Sequence, residues 1–216
     1  FNVRPERVVE ICNGIIKSGL KFPWSCNVRV NSLDKDILKL MKKAGCWLIC
    51  MGVESGSEDV LRQLKKNLNK EQVVNSAKWA HEAGIKIKTF FIIGNPGETL
   101  KTIDETISFA KKLKPEYPVF SLMTPLPSTF LWDHWQEYGD FKYQDFSDLT
   151  LATQEPKFIP FGLTKELLIK KQSEAFRSLY LTPGMIYRHA VMVNSISSLV
   201  DTVKLGLRAA RLFSRA

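Results

Sequence analysis

Glu54 stands at the end of an apolar run, where a side chain at the tip of a predicted strand can reach a ligand. The run covers residues 47–53, and Ser55, Gly56 and Ser57 follow Glu54 before a predicted helix. A carboxylate in this place can accept hydrogen bonds from a ribose diol, and the backbone amides of the turn can face an anion. The alternative is that Ser55 and Ser57 only cap the helix and that Glu54 is an acid favoured by the helix dipole.

A glycine-rich turn, Gly94-Asn95-Pro96-Gly97, follows a second apolar run at residues 85–93. Glycine has no side chain, so a turn of this kind lets the backbone pass close to a planar ligand. Recognition of an adenine by backbone atoms needs such an approach. The segment is not a phosphate-binding loop, because no Gly-Lys-Ser/Thr triplet follows it.

Arg29 and the segment 121–129 are the other polar groups that follow predicted strands. Arg29 alternates with apolar neighbours, and an arginine that points into a barrel needs an anionic partner because an unpaired buried charge is costly. A ligand carboxylate and a structural salt bridge are equally suitable partners. The segment 121–129 contains Pro125 and Pro127, which either form a rigid edge of the site or only end the sheet.

Hydrophobic periodicity predicts strands and helices that alternate along the first part of the chain. The predicted strands cover residues 24–30, 47–53, 85–93 and 118–123. The predicted helices cover 4–18, 34–45, 57–64, 69–84 and 100–113, with Asp34, Ser57 and Asn69 as caps. Strands that are each followed by a helix are typical of a parallel sheet with right-handed crossovers. Such sheets bind ligands at the carboxyl ends of their strands.

The predicted fold is therefore α/β, a partial TIM-like barrel of parallel strands with alternating helices. Four strands are too few to close an eight-stranded barrel. We expect half of a barrel at residues 1–139, a loop or linker at 140–163 and a C-terminal helical extension at 164–216, with helices at 165–180 and 185–213. The chain begins at Phe1 rather than at a methionine, which predicts that it is a piece of a longer protein.

The positive charge of the chain is concentrated near its end. The net charge is +9, and residues 164–216 contribute +6 of it through nine basic and three acidic side chains. Four of the basic residues form one stripe on the last predicted helix: Lys204, Arg208, Arg211 and Arg215. The stripe predicts either peripheral contact with an anionic membrane or a helix that packs on the barrel or on another domain.

The four cysteines, Cys12, Cys26, Cys46 and Cys50, match no zinc or disulfide spacing. We therefore interpret them as buried structural thiols and expect no metal ligands in this chain. Free thiols and the lack of a secretory signal favour a cytoplasmic location. No apolar run reaches the ~18 residues of a membrane span.

The order and spacing of these segments resemble the second half of the barrel of radical S-adenosylmethionine (radical SAM) enzymes. The similar stretches are WSCNVRVN, MKKAGCWLICMGVESGSEDVLRQLKK, FFIIGNPGETLKTIDETISFAKKLKP and TPLPSTFLW, within residues 1–132. The pattern is most similar to the group whose members carry an N-terminal cobalamin-binding domain, which includes enzymes of hopanoid and bacteriochlorophyll biosynthesis.

The resemblance implies three cofactors. A [4Fe–4S] cluster would be held by a CxxxCxxC loop upstream of this chain, S-adenosylmethionine would bind the open iron, and cobalamin would occupy a preceding domain. Reductive cleavage of S-adenosylmethionine would yield a 5′-deoxyadenosyl radical, with the protein orienting the cofactor and excluding water. An external electron donor is a further implied partner. Because the cluster loop is missing here, we expect this chain alone to be inactive.

The resemblance also implies which residues bind S-adenosylmethionine, while no catalytic residue is assigned. Glu54, with Ser55 beside it, matches the position that contacts the ribose or the methionine end. Lys66 matches a cation that pairs with the methionine carboxylate, and Lys65 is the alternative in a shifted register. The remaining residues would line the same cavity: Gly94, Asn95, Pro96 and Gly97 near the adenine, Phe120 and Leu122 against its face, and Arg29.

Three functions are compatible with these features. The leading prediction is a radical SAM enzyme, a transferase or oxidoreductase, that performs C-methylation or oxidative cyclisation on an unidentified small or lipid-like substrate. The second is a methylthiotransferase that acts on tRNA or on a protein, although the helical C-terminal region differs from the β-rich RNA-binding domain usual in that group. The third is a non-catalytic basic module that binds nucleic acid. Because the basic tail is nearly devoid of aromatic residues, we expect no nucleic-acid partner.

Overall fold

The computed structural model describes residues 1–143, 145, 149 and 155–191 of the chain. Helices and strands alternate through most of this part. The helices are α1 Pro5–Lys17, α2 Lys35–Lys43, α3 Glu58–Gln63, α4 Lys70–Glu82, α5 Leu100–Leu113, α6 Phe130–His134, α7 Lys165–Tyr180 and α8 Pro183–Val191. The strands are β1 Trp24–Val28, β2 Cys46–Glu54, β3 Lys86–Ile93, β4 Tyr117–Leu122, β5 Gly139–Phe141 and β6 Phe158–Pro160.

The first four strands form one parallel sheet in the order β1-β2-β3-β4. Ile49 of β2 pairs with Cys26 of β1 on one side and with Ile87 of β3 on the other. Every position of β2 except Trp47 is buried or half-buried, which explains its nearly continuous apolar sequence. The sheet confirms the predicted α/β fold, and the described strands do not close into a barrel.

Helix starts follow the predicted caps because short polar side chains satisfy the first backbone amides. Asp34 Oδ1 accepts hydrogen bonds from the amides of Asp36 and Ile37 at 2.9 and 2.8 Å. Asn69 Oδ1 accepts one from the amide of Glu71 at 2.7 Å. These two caps fix where α2 and α4 begin, and therefore where the preceding loops end.

Two short strands, β5 and β6, lie in the segment predicted to be a loop or linker, with β5 beginning one residue before it at Gly139. β5 and β6 pair in antiparallel fashion, with Gly139 opposite Pro160 and Phe141 opposite Phe158. A side chain at Gly139 would collide with the backbone oxygen of Ile159, so glycine permits this close approach. Strands of three residues are too short to show an alternating pattern, which is why the periodicity of the sequence did not reveal them.

The chain forms two compact units. The first comprises residues 1–91 and 108–119, and the second comprises 92–107 and the described residues from 120 onward. The core of the first unit contains fully buried side chains from α1, α2 and the strands, among them Val8, Leu38, Met41, Ile49 and Met51.

In the second unit, α7 is attached to β4 and to α5. Gln172 Nε2 donates a hydrogen bond to the backbone oxygen of Phe120 at 2.9 Å. Lys171 Nζ lies 2.5 Å from the carboxylate of Asp104, and Leu168 is fully buried. These contacts hold α7 within the second unit.

The last predicted helix is only partly within the described residues. α8 ends at Val191, so the basic stripe Lys204, Arg208, Arg211 and Arg215 lies outside the described part. Among the described helices, none has the length and apolarity that a bilayer crossing requires.

Candidate S-adenosylmethionine site

Glu54 is the last residue of β2, and its backbone lies in the left-handed region with φ of 66°. Residues other than glycine adopt this conformation at a cost, and such strain concentrates at ligand-binding sites. The conformation ends the strand and turns the chain into the Ser55-Gly56-Ser57 segment. The structure thus presents the predicted carboxylate at the carboxyl end of a strand.

Glu54 and Lys66 form an ion pair next to Gly52. Lys66 Nζ lies 2.5 Å from Glu54 Oε1, and the two side chains are 32% and 21% exposed. A Cβ atom at Gly52 would lie 2.6 Å from Glu54 Oε1 and 3.3 Å from Lys66 Nζ. Glycine at this position therefore creates the space in which the two charged groups meet.

The loop that carries Lys66 has a defined backbone. The amide of Lys66 donates to the oxygen of Leu61 at 2.9 Å, and Lys65 adopts a φ of 51°. Asn31 Nδ2, from the segment after β1, donates to the oxygen of Asn67 at 2.8 Å. These contacts hold Lys66, rather than Lys65, against Glu54.

Ser55 supports the turn after Glu54. It is fully buried, and its hydroxyl accepts a hydrogen bond from the amide of Ser57 at 3.1 Å. Ser57 occupies the first position before α3, but its side chain makes no capping hydrogen bond. The predicted cap by the Ser57 side chain is therefore wrong, because the hydroxyl of Ser55 orders this turn instead.

In the second unit, the turn after β3 is closed by the carboxylate of Glu98. Glu98 Oε2 accepts hydrogen bonds from the amides of Gly94 and Asn95 at 2.6 and 3.0 Å. Gly94 and Gly97 have φ of 87° and 70°, which only glycine adopts readily. The glycines of the predicted motif are thus required by the backbone path, and Glu98 fixes that path.

Glu98 is almost completely buried, at 1% exposure. Burial raises the pKa of this carboxyl group to about 7, although the hydrogen bonds from Asn95 and Gly94 act in the opposite direction. A carboxylate that is removed from water depends on such donors for its stability. The geometry of the turn is therefore linked to the ionisation of a single side chain.

Asn95 is fully buried and leaves one polar atom without a partner. Its Nδ2 donates to the oxygen of Ile92 at 2.8 Å and to Glu98 Oε1 at 3.3 Å. Among the described residues, its Oδ1 has no hydrogen-bond donor. A buried acceptor without a partner is unfavourable, and a donor on a ligand would satisfy it.

Helix α7 contacts the turn and β4 within the second unit. A Cβ atom at Gly94 would lie 3.4 Å from Leu168 Cδ2, which leaves little room for a side chain. Phe120 packs against Phe176 of α7 with ring centroids 5.7 Å apart, and Leu122 is buried two residues further along β4. The ring of Phe120, which was expected against an adenine, is therefore engaged with α7.

Arg29 does not contact a carboxylate of the described residues. Its side chain is exposed, while its backbone amide and oxygen are held by the side chain of Asn2 at 2.7 Å each. The structure thus brings Glu54 and Lys66 together. That Arg29 lines a ligand cavity stays a prediction.

Two residues that shape these segments were missed by sequence reasoning. Gly52 lies inside an apolar strand, where a glycine signals a close approach of other atoms. Glu98 directly follows Gly97, and an acid at the end of a glycine-rich turn can accept hydrogen bonds from its amides. Both signals are visible in the sequence.

The cysteines of the described residues do not resemble cluster ligands. Burial raises the pKa of Cys12 and Cys50, and a hydrogen bond to Cys46 together with burial raises the pKa of Cys26, whereas the same hydrogen bond lowers the pKa of Cys46. Thiols that stay protonated are poor metal ligands, which applies to Cys12, Cys26 and Cys50. Within the part of the chain that the structure describes, no group of three or more acidic, histidine or cysteine side chains could hold a metal ion.

Comparison with curated proteins identifies several relatives of the chain. It is 31% identical over 188 residues to an uncharacterized methyltransferase of Pyrococcus horikoshii, covering 87% of this chain and 40% of the relative. It is 29% identical to the bacteriochlorophyllide d C-12(1)-methyltransferase of Chlorobaculum tepidum, covering 82% and 39%. It is 26% identical to the anaerobic magnesium-protoporphyrin IX monomethyl ester cyclase of Rubrivivax gelatinosus, covering 85% and 33%. The chain thus spans about two fifths or less of the length of these relatives.

The fold of the chain is similar to that of a solved structure, and its sequence matches a protein family. Coproporphyrinogen III oxidase of Escherichia coli, described as a radical SAM enzyme, superimposes with a TM-score of 0.58 at 16% identity, covering 81% of this chain and 37% of the oxidase. At this identity the likeness concerns the fold alone. Residues 3–110 match the family described as the Radical SAM superfamily. The match includes Glu54, Lys66 and the turn at Gly94, and the chain therefore belongs to the radical SAM superfamily.

Proposed function

We propose that the chain is part of a radical SAM enzyme that binds S-adenosylmethionine and methylates or cyclises a small or lipid-like substrate. Membership of the family implies S-adenosylmethionine and a [4Fe–4S] cluster as cofactors. The names of the relatives, two methyltransferases and one cyclase, support a transferase or a ring-forming oxidoreductase. The observation that carries the proposal is the Glu54–Lys66 pair at the end of β2.

The Glu54–Lys66 pair fits the methionine end of S-adenosylmethionine. That end carries an ammonium and a carboxylate, and a glutamate beside a lysine is complementary to both charges. Half-burial strengthens such contacts, because water screens them less than on an open surface. In the proposed complex, Lys66 pairs with the cofactor carboxylate and Glu54 accepts a hydrogen bond from the ammonium or the ribose. Ser55 holds the turn that positions Glu54.

The turn from Gly94 to Gly97 fits the proposed adenine contact. Its glycines expose the backbone, and Asn95 and Pro96 define its width. The buried Oδ1 of Asn95 without a donor supports a role in recognising an amino group. Leu122 and Arg29 are proposed as further residues that bind the cofactor.

The remaining cofactors and partners are proposals for the longer protein. The described cysteines do not fit a [4Fe–4S] cluster, so the role proposed for this chain is to bind and orient S-adenosylmethionine, which supplies the radical chemistry. Cobalamin dependence and an external electron donor follow from the resemblance to enzymes with a cobalamin-binding domain.

Substitution of Lys66 tests the proposed function. We expect Lys66→Gln to weaken binding of S-adenosylmethionine to the full chain by about 10- to 100-fold, since a hydrogen bond to a charged group contributes ~1.5–3 kcal/mol. Isothermal titration calorimetry measures this change directly. Lys111→Gln, which removes the same charge from an exposed position on α5, is the matched control and should bind as the original chain does.

Gly52→Ala provides a second test that leaves both charges in place. The new methyl group would displace the flexible end of Glu54 and separate it from Lys66, so binding should weaken while the free energy of unfolding changes by less than about 1 kcal/mol. Tight binding of S-adenosylmethionine by both variants would contradict the proposed site.

A further inference from the structure

We propose that the loop between α3 and α4 forms a second binding site, which takes the phosphate or pyrophosphate group of a soluble ligand. The site is separate in function from the Glu54–Lys66 pair. It depends on Lys65 and Lys70, two cations that the proposed S-adenosylmethionine site does not use.

The loop borders an open cavity of about 530 Å³. Four cations line it, Arg62, Lys65, Lys66 and Lys70, against the single carboxylate of Glu58. The volume lies within the range of pockets that hold small ligands. Like charges that face one cavity repel each other, and a bound anion relieves this repulsion.

Lys65 and Lys70 are available for an anion. Among the described residues, neither ammonium lies within 4.0 Å of a carboxylate, whereas Lys66 pairs with Glu54 and Arg62 with Asp59. Lys70 Nζ lies 5.2 Å from the ring centroid of Phe109, which directs its side chain without neutralising its charge. The cavity therefore holds two cations whose charge the described residues leave uncompensated.

Hydrogen bonds within the loop hold its backbone. Lys65 has a φ of 51°, and its amide donates to the oxygen of Arg62 at 3.0 Å. The amide of Leu68 donates to the oxygen of Lys66 at 2.8 Å, and Asn67 is held by Asn31. A preformed loop loses little conformational entropy on binding, which favours a specific site over a diffuse basic surface.

The chemistry of the cavity matches a phosphoryl group. Lysine ammonium groups bind phosphates as point charges, and an anion of charge −2 or more can engage several of them together. The cavity opens beside the first turn of α4, a helix of 13 residues, whose dipole adds positive potential. A pyrophosphate has the charge and the reach to contact Lys65 and Lys70 together.

Binding of inorganic pyrophosphate to the full chain tests this site. We expect calorimetry at low ionic strength to detect binding that Lys65→Gln combined with Lys70→Gln weakens by about tenfold or more. The matched control is Lys111→Gln combined with Lys112→Gln, which removes two exposed charges from α5. Circular dichroism establishes that both double variants are folded. Glu58→Gln should tighten binding, because it removes the only carboxylate among the described residues that line the cavity.

The outcomes separate this site from its alternatives. The proposal would be overturned if the original chain did not bind pyrophosphate. It would also be overturned if the control double variant lost as much affinity, because that result would indicate only a response to net charge. A further experiment uses vesicles that contain phosphatidylglycerol. If the chain bound these vesicles through Lys65 and Lys70 but did not bind pyrophosphate, the proposal of a soluble ligand would be wrong. Failure of S-adenosylmethionine binding leaves this result unaffected, because Lys66 is unchanged in every variant.

Discussion

Glu98 illustrates how one side chain can define the path of a glycine-rich turn. Its carboxyl group accepts hydrogen bonds that the amides of Gly94 and Asn95 would otherwise donate to water. The carboxyl group itself is buried. The burial raises its pKa to about 7, well above the ordinary value of 4.5. A carboxyl group whose pKa is higher in the folded state than in the unfolded state lowers the stability of the fold. This loss begins at the pH at which the group of the unfolded chain releases its proton.

The raised pKa of Glu98 predicts a specific pH dependence of stability. From about pH 4.5 to 7 the unfolded chain releases the proton and the folded chain retains it, so the free energy of unfolding should fall by on the order of 3 kcal/mol as pH rises. Glu98→Gln should not show this fall, because its side chain does not titrate. The variant should be less stable at every pH, since the new side-chain amide group would face the Nδ2 group of Asn95. Urea denaturation from pH 4 to 8 measures the difference.

Glu10→Gln is the control for this measurement, because Glu10 is exposed on α1. It should retain the fall of the original chain. A parallel pH dependence in the original chain and in Glu98→Gln would show that Glu98 is not the group responsible.

At the scale of elements, the parallel strands and their helices could be predicted from periodicity and caps. Asp34 and Asn69 mark helix starts that the structure contains, and the apolar run before Glu54 is a strand buried in the sheet. The pairing of β5 with β6 could not be predicted, since strands of three residues carry no measurable period.

For the candidate site, residue type and position along the predicted strands singled out Glu54 and the turn at Gly94, whereas Lys66 came from the family resemblance. Lys66 meets Glu54 across Gly52, and the backbone of Glu54 has a φ of 66°. Such a backbone angle and such a three-residue contact arise from tertiary structure, which local patterns do not encode.

Helix α7 is predicted to stabilise the second unit through Leu168. Its side chain is fully buried and faces Gly94, so Leu168→Ala should lower the free energy of unfolding by about 2–5 kcal/mol through lost burial and a cavity. Leu167→Ala, at a half-buried position on the same helix, should cost clearly less. Equal losses in urea denaturation would argue against packing of Leu168 on the turn.

At the scale of the whole molecule, the positive charge is distributed unevenly along the chain. Residues 164–216 supply +6 of the net +9, and the stripe Lys204, Arg208, Arg211 and Arg215 lies beyond the described residues. We propose that this stripe contacts anionic lipid, which would suit a lipid-like substrate.

Sedimentation with vesicles tests the proposed membrane contact. At low salt, the chain should sediment with vesicles that contain phosphatidylglycerol and should dissociate as the salt concentration rises, because screening weakens the attraction. Changing the four stripe residues to Gln should reduce sedimentation several-fold, while vesicles of phosphatidylcholine alone serve as the control. Unchanged sedimentation of the stripe variant would contradict this proposal.

The attachments of α7 also determine when the second unit can fold during synthesis. Lys171 reaches Asp104 across 67 positions of the chain, and Gln172 reaches Phe120 across 52. A polypeptide that leaves the ribosome from its amino end exposes the turn at Gly94 long before Leu168 emerges to cover it. Until then the apolar surface that Leu168 covers in the folded unit stays exposed on the nascent chain.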